Sequence, residues 1–252
     1  MSGYTDFASF YDRLTGDVGY PQRAGYLAGL LAENGVEKGT VLDLACGTGS
    51  LTLELARRGY EMIGVDASPD MLCVAQEKCM QAGADVLFLC QAMEALDLYG
   101  TVNAAVCTLD SLNHITEPDT LREVFRRVSL FLEPGGLFIF DVNTPYKHRE
   151  ILGNNTFVYD LDGLYCVWQN AYDAQNDTVD ILLDFFEEQA NGSYTRYGEQ
   201  FTERAYSHET LCALLGDVGL SLIGCYEEMM RTPPQKDTQR AVYLVKKERI
   251  QG

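Results

Sequence analysis

Residues 43–49 read Asp-Leu-Ala-Cys-Gly-Thr-Gly, and the next apolar run, Met62-Ile-Gly-Val, ends in a second acid, Asp66. Glycines let a backbone approach a ligand with no side chain between them. A carboxylate at the end of the following strand accepts from both hydroxyls of a ribose. A short apolar run (Val41, Leu42, Leu44) leads into the glycines, and Ser50-Leu-Thr-Leu-Glu-Leu-Ala follows them with helical spacing. Strand, glycine turn and helix start together form a seat for a nucleoside.

Three nucleosides compete for that seat. A dinucleotide turn needs G-x-G-x-x-G, and the matching positions are Ala45, Gly47 and Ser50, so the first and third glycines are missing. A phosphate loop needs G-x-x-x-x-G-K-[ST], which does not occur. S-adenosylmethionine carries a nucleoside and an amino acid but no phosphate. Its ammonium favours an acid inside the turn, where Asp43 stands.

The elements that position these residues alternate. The pattern predicts strands at 41–45, 61–65, 86–90, 102–109 and 137–142, and helices at 50–58, 69–82 and 118–132. Ser68, Pro69 and Gly83 bracket the second of those helices as N-cap, first turn and stop. Upstream, Phe7, Phe10, Tyr11 and Leu14, then Tyr26, Leu27, Leu30 and Leu31, have helical spacing on either side of a loop at 15–21. Strands alternating with amphipathic helices imply a doubly wound, mainly parallel α/β sheet. Between 156 and 205 the pattern changes to β-rich runs separated by turns such as Asp162-Gly and Asn191-Gly-Ser, which predicts antiparallel hairpins. The parent pattern resumes with a helix at 208–217 and strands at 220–228 and 240–246. The expected organisation is a domain of 1–150 plus 206–252, with 151–205 inserted as a small antiparallel sheet over the substrate side.

Bulk properties bound the partners. The 252 residues suit one such domain with an elaboration. A net charge of -18 disfavours nucleic acid, which needs a basic stripe. No apolar run is long enough for a membrane span, and the first residues lack the basic and apolar regions of a secretory signal. The 8 cysteines include no Cys-x-x-Cys, and the 3 histidines are far apart, so reduced thiols, no metal and a cytoplasmic location are expected.

Further segments carry a resemblance. Asp43-Leu-Ala-Cys-Gly-Thr-Gly with Val65-Asp-Ala-Ser resembles motifs I and II of class I S-adenosylmethionine-dependent methyltransferases. Gln91-Ala-Met-Glu resembles their adenine loop, Cys107-Thr-Leu-Asp-Ser-Leu-Asn-His the segment after the fourth strand, and Leu132-Glu-Pro-Gly-Gly-Leu-Phe-Ile-Phe-Asp the turn and fifth strand. These segments occur in the family's order over roughly residues 38–145. The resemblance implies a seven-stranded Rossmann-like methyltransferase fold and S-adenosyl-L-methionine as cofactor, released as S-adenosyl-L-homocysteine.

Chemistry and resemblance together assign residues. Ala45, Cys46, Gly47 and Gly49 would offer backbone to the cofactor, Asp43 would meet its ammonium, and Asp66 its ribose. Ala67, Ser68 and Met71 are near enough in sequence to touch the adenosine, and Gln91, Ala92 and Met93 would border the adenine. The resemblance adds Tyr11 and Tyr20, from an N-terminal segment that folds over the cofactor, and Thr108 and Asp110 after the fourth strand. Asp110 and His114 are the candidate catalytic groups, His114 as a general base with an ordinary pKa near neutrality. Asn113, His114, Tyr165 and Trp168 are the candidate substrate contacts.

The expected reaction is an in-line transfer of a methyl group to a nitrogen, oxygen or carbon nucleophile of a small molecule, by a monomer or homodimer. Nucleobase methylation is disfavoured because Leu109-Asp-Ser-Leu stands where Asn/Asp-Pro-Pro-Tyr would be needed. A non-catalytic S-adenosylmethionine-binding module and a nicotinamide-dependent oxidoreductase are the alternatives.

Overall fold

Alternating apolar strands and amphipathic helices assemble as the pattern requires. The computed structural model describes residues 3–248, with the side chains of residues 3–7 and 9 excepted. The Phe7 side chain and the extreme ends of the expected domain lie outside the described set. Helices α1 (Gly3–Leu14) and α2 (Tyr20–Glu33) come first. Then β1 (Thr40–Leu44), α3 (Ser50–Ala56), β2 (Glu61–Asp66), α4 (Pro69–Gln81), β3 (Val86–Cys90), β4 (Val102–Cys107), α5 (Pro118–Phe131) and β5 (Leu132–Asn143) alternate. Strands β6 (Thr156–Leu161), β7 (Leu164–Asp173), β8 (Thr178–Glu188) and β9 (Tyr194–Arg204) follow. Helix α6 (His208–Gly216) and strands β10 (Leu220–Glu227) and β11 (Arg240–Lys247) close the chain.

The main sheet has seven strands in the order β10-β11-β5-β4-β1-β2-β3. Strands β1 to β5 pair in parallel, while β11 pairs antiparallel with β5 and β10 with β11. The order reverses between β1 and β4, and open α/β sheets bind ligands beyond the carboxyl ends of strands at such a switch point. Asp43 sits there, in register with Gly64 of β2 and Val106 of β4.

Each face of the sheet is covered. Alternation along β5 sends Phe138 and Phe140 toward Leu121, Val124 and Phe125 of α5, and Leu137 and Ile139 toward Leu27, Leu30 and Leu31 of α2. Phe140 stacks on Tyr243 of β11 with ring centroids 4.9 Å apart. The second sheet, β6-β7-β8-β9, is an antiparallel meander. Its apolar face holds Cys166, Ile181, Leu183 and Phe185 against Phe10 of α1. The α1 helix therefore bridges the second sheet and the glycine turn.

Strand β4 stops at Cys107, two residues before the pattern predicts. Leu109 (φ 58°) and Asp110 (φ 55°) are left-handed without being glycine, a conformation that costs each about 1–3 kcal/mol. The compensation is a buried carboxylate. Asp141 accepts from the Leu109 and Asp110 backbone amides at 3.0 and 2.9 Å.

Gly49 (φ 71°) starts α3, and a Cβ there would lie 2.8 Å from the Cβ of Ala75 in α4. Gly49→Ala is expected to lower the unfolding free energy by about 1–3 kcal/mol, read as a shifted urea midpoint with an unchanged slope.

Candidate functional site

The glycine turn is knitted to the end of β2. Cys46 donates its amide to the Val65 carbonyl (2.9 Å), and Gly47 donates to Asp66 Oδ2 (2.8 Å). Asp66 Oδ1 accepts from Ser68 N at 2.8 Å. Two backbone amides thus aim the Asp66 carboxylate, while partial burial pushes its pKa up. Asp43 is 2% exposed and accepts from Thr52 Oγ1 at 2.5 Å. Burial raises its pKa to about 7, against which that one hydrogen bond works. A buried carboxyl with a raised pKa is a group that a cation would ionise.

Tyr11 and Tyr20 close over this floor. The Tyr11 ring reaches to 3.9 Å of where a Gly47 Cβ would stand. Burial pushes both phenols up, and the two are hydrogen-bonded to each other. Next to Tyr11, Asp12 accepts from Thr48 Oγ1 at 2.6 Å and pairs with Lys78 Nζ at 2.7 Å. Lys78 also donates to Ser50 Oγ at 2.6 Å. This cluster holds α1 down on the first turn of α3. One narrow cavity collects Tyr11, Tyr20, Asp43, Ala45, Cys46 and Thr108. A larger cavity of about 430 Å³, between the ends of β5 and β11 and Pro233-Pro234, contains none of the predicted residues.

Along β2 and β3 the side chains are less free than their positions suggest. Ser68 caps α4 by accepting from Met71 N, and Met71 is buried beneath it. Ala67 is exposed. Gln91 places its backbone against Asp66, donating N–H to the Asp66 carbonyl, but its side-chain amide bonds Asp97 N and O. Its side chain therefore braces its own loop and leaves its backbone beside Asp66. Ala92 and Met93 are half-buried, with Met93 packed against the α5-side core.

After β4 the predicted pair Asp110 and His114 separates in role. Asp110 accepts from Asn143 Nδ2 at 2.6 Å and pairs with Arg240 at 3.3 Å. Burial would raise its pKa, but the charges of Arg240, Lys147 and His114 outweigh that and hold it well below the usual carboxylate range. Such a group is a poor proton acceptor and offers the site a fixed negative charge. Asn113 is fully buried: its Nδ2 donates to the Asn143 and Arg204 carbonyls and its Oδ1 accepts from Asn143 N. It clamps β9 to β5 and is not free to meet an acceptor. His114 alone of the three is exposed, lying against Phe201 of β9 at 4.8 Å between ring centroids.

Tyr165 and Trp168 are odd and even members of one strand, so they face opposite sides of the second sheet. Trp168 points to the α1 side and donates Nε1–H to Asn170 at 2.7 Å. Tyr165 stands exposed on the outer face, away from the glycine turn, so the two cannot line one pocket.

Several groups at the site carry no sequence motif. Asp141 pairs with Arg23 of α2 (3.3 Å) and Arg240 of β11 (2.7 Å), and Glu228 contacts both arginines. Glu203 of β9, 3% exposed, meets His148 Nε2 at 3.2 Å and faces His114 Nε2 at 3.9 Å. Lys147, its pKa lowered first by burial and then by Arg240, donates to Asn143 Oδ1 at 2.9 Å. The one readable signal was Glu203 itself, an acid that alternation places on the same strand face as Tyr197 and Phe201, which pack on the second sheet's core, and as Glu199.

Comparison with known proteins gives the same picture. Residues 41–136 match the family described as "Methyltransferase domain". The chain is 31% identical over 246 residues to the putative methyltransferase YqeM of Bacillus subtilis, covering 97% of each. It is 34% identical to a structure of a S-adenosylmethionine-dependent methyltransferase from Clostridium acetobutylicum, with a TM-score of 0.89 over 97% of this chain and 99% of that one. A ubiquinone biosynthesis O-methyltransferase of Chromobacterium violaceum is 33% identical over 102 residues, 40% of this chain and 42% of its own.

Two outcomes are expected from the buried acids. A carboxyl whose folded pKa is raised favours folding at low pH and loses that contribution as pH rises through about 7. Asp43→Asn should therefore raise the Tm of the ligand-free protein at pH 8 relative to wild type, with the gain vanishing toward pH 4. Asp141→Ala leaves two buried arginines short of a partner and releases the left-handed turn, so denaturation should show a loss of about 3–5 kcal/mol.

Proposed function

Since the chain belongs to the class I S-adenosylmethionine-dependent methyltransferases, we propose that it methylates a nitrogen or oxygen of a small-molecule acceptor held between the carboxyl end of β4 and the second sheet. S-adenosylmethionine is the cofactor, so the nicotinamide alternative falls. The residues present fit that group. Asp43 is a buried carboxyl short of a cation, Asp66 is aimed by two amides for a diol, and Gly47 offers bare backbone under Tyr11. When bound, the cofactor supplies a methyl group on a sulfonium, already activated for in-line displacement. The task left to the chain is to align the acceptor and exclude water.

The observation that carries the reading is the exposed His114 at the switch point, walled by Phe201, amid polar side chains otherwise bonded to one another. Span 151–205 acts as the cover of the acceptor side. Through Phe10 it also shares a core with the helix that carries Tyr11. The Chromobacterium O-methyltransferase matches this chain over 102 residues, 40% of it, which supports methyl transfer and leaves the acceptor open.

A coupled assay for S-adenosylhomocysteine over amines, phenols and alcohols tests the proposal. Turnover with one of these classes is expected. Turnover confined to protein or nucleic acid, or cofactor binding with none, would overturn it. Calorimetry checks the site. Asp66→Ala should weaken S-adenosylmethionine by about tenfold or more, the loss of one or more charge-assisted hydrogen bonds. At pH 6 the free Asp43 is mostly protonated, so binding of the ammonium should release a proton. That release appears as a buffer-dependent binding enthalpy and should disappear in Asp43→Asn.

A further inference from the structure

Glu203 is a buried carboxylate with an imidazole on each side. Its Oε2 faces His148 Nε2 at 3.2 Å and accepts from Asn143 Nδ2 at 3.2 Å. Its Oε1 faces His114 Nε2 at 3.9 Å. The two histidines differ in surroundings. His148 is fully buried and its Nδ1 has no hydrogen-bond partner among the described residues, whereas the His114 side chain is 44% exposed.

That difference decides which ring can take a proton. A neutral His148 with its hydrogen on Nε2 donates to Glu203 and leaves only a bare lone pair on Nδ1. Protonating Nδ1 would bury an N–H with no acceptor, which is unfavourable. His148, donating from Nε2, and Asn143 together fix Oε2 in place. The charge of Glu203 is left for His114. Its Oε1, 3.9 Å from His114 Nε2, favours hydrogen on that nitrogen by charge, which leaves the Nδ1 lone pair as the base.

We infer that Glu203, held by His148 and Asn143, is a positioning residue that makes His114 the acceptor of the proton released when the substrate heteroatom is methylated. This rests on the transfer to nitrogen or oxygen proposed above. The heteroatom bonds the methyl carbon, the sulfur keeps the electron pair of the broken C–S bond, and the heteroatom's proton goes to His114 Nδ1. The imidazolium then faces Glu203, the 3.9 Å gap closes to a charge-assisted hydrogen bond, and the exposed ring returns the proton to water. The acceptor class that needs such a device has a lone pair and a proton on the same reacting atom: an amine, a phenol or an alcohol.

Other groups also face this pair. Asp66 of β2 and Asp110 of the turn after β4 act on His114, and Lys147, from the helical turn after β5, acts on Glu203. The behaviour of His114 alone would not single out Glu203, so the test is a difference between variants.

Ring-nitrogen NMR of the full chain with bound S-adenosylhomocysteine supplies it, since only 3 histidines need assignment. In wild type, neutral His114 should carry its hydrogen mainly on Nε2, facing Glu203. Glu203→Gln should shift that tautomer toward Nδ1–H, Glu203→Asp should restore most of it, and the His208 signal should not move. An unmoved His114 tautomer in a Glu203→Gln protein whose His208 signal is native overturns the inference. If Glu203→Gln does not fold, the wild type decides: a His114 with its hydrogen mainly on Nδ1 overturns it. Failure of every amine, phenol and alcohol in the turnover assay strikes the proposed function instead, and the NMR result is independent of it. With an acceptor in hand, Glu203→Gln should lower kcat by about tenfold or more with little change in KM, and Glu203→Asp should restore most of it.

Discussion

The carboxylate of Asp141 holds the ligand-binding end of the sheet together. It is 1% exposed and lies near the end of β5, where it accepts from two backbone amides of the turn after β4 and pairs with arginines from α2 and β11. Four segments distant in sequence meet on one side chain. A buried ion pair gains little net stability over an apolar replacement, because desolvation offsets the Coulomb term. Its effect here is geometric. It keeps Leu109 and Asp110 in left-handed backbone that neither residue favours, and so sets where His114 emerges.

The glycine turn is fixed by a similar device. Asp66 accepts from Gly47 and from Ser68, so one carboxylate ties the loop after β1 to the loop after β2. The α1 helix is then fastened over the turn by Asp12, through Thr48 and Lys78. Because Phe10 of the same helix packs on Phe185 of β8, the helix over the glycine turn and the second sheet share one rigid piece. The glycine turn and the second sheet are thereby mechanically linked.

Much of this architecture is legible in the chain's own pattern. Strand and helix positions follow from apolar periodicity, because burial on one face or both is what the parent sheet demands of its elements. The glycines and Asp66 are legible because their roles depend on local backbone. Side-chain commitments are not. Gln91 occupies the expected loop, yet its amide folds back on Asp97. Asp110 and Asn113 stand in the expected segment, yet one is held by Arg240 and the other by carbonyls of two strands. Tyr165 and Trp168 group together by composition, although strand alternation already puts them on opposite faces.

The sequence by itself determined the doubly wound sheet, the antiparallel insert and the S-adenosylmethionine donor, because each rests on periodicity or on spacings of a few residues. The tertiary structure alone decided which polar groups face one another. Arg23 and Asp141 are 118 positions apart, and His148 and Glu203 are 55 apart. Such pairs depend on how a helix lies across a sheet and on the register of β9 against β8. A one-residue slip in that register would turn Glu203 to the opposite face of its sheet. The donor was written in local backbone chemistry, and the pairing of the buried polar groups was set by packing.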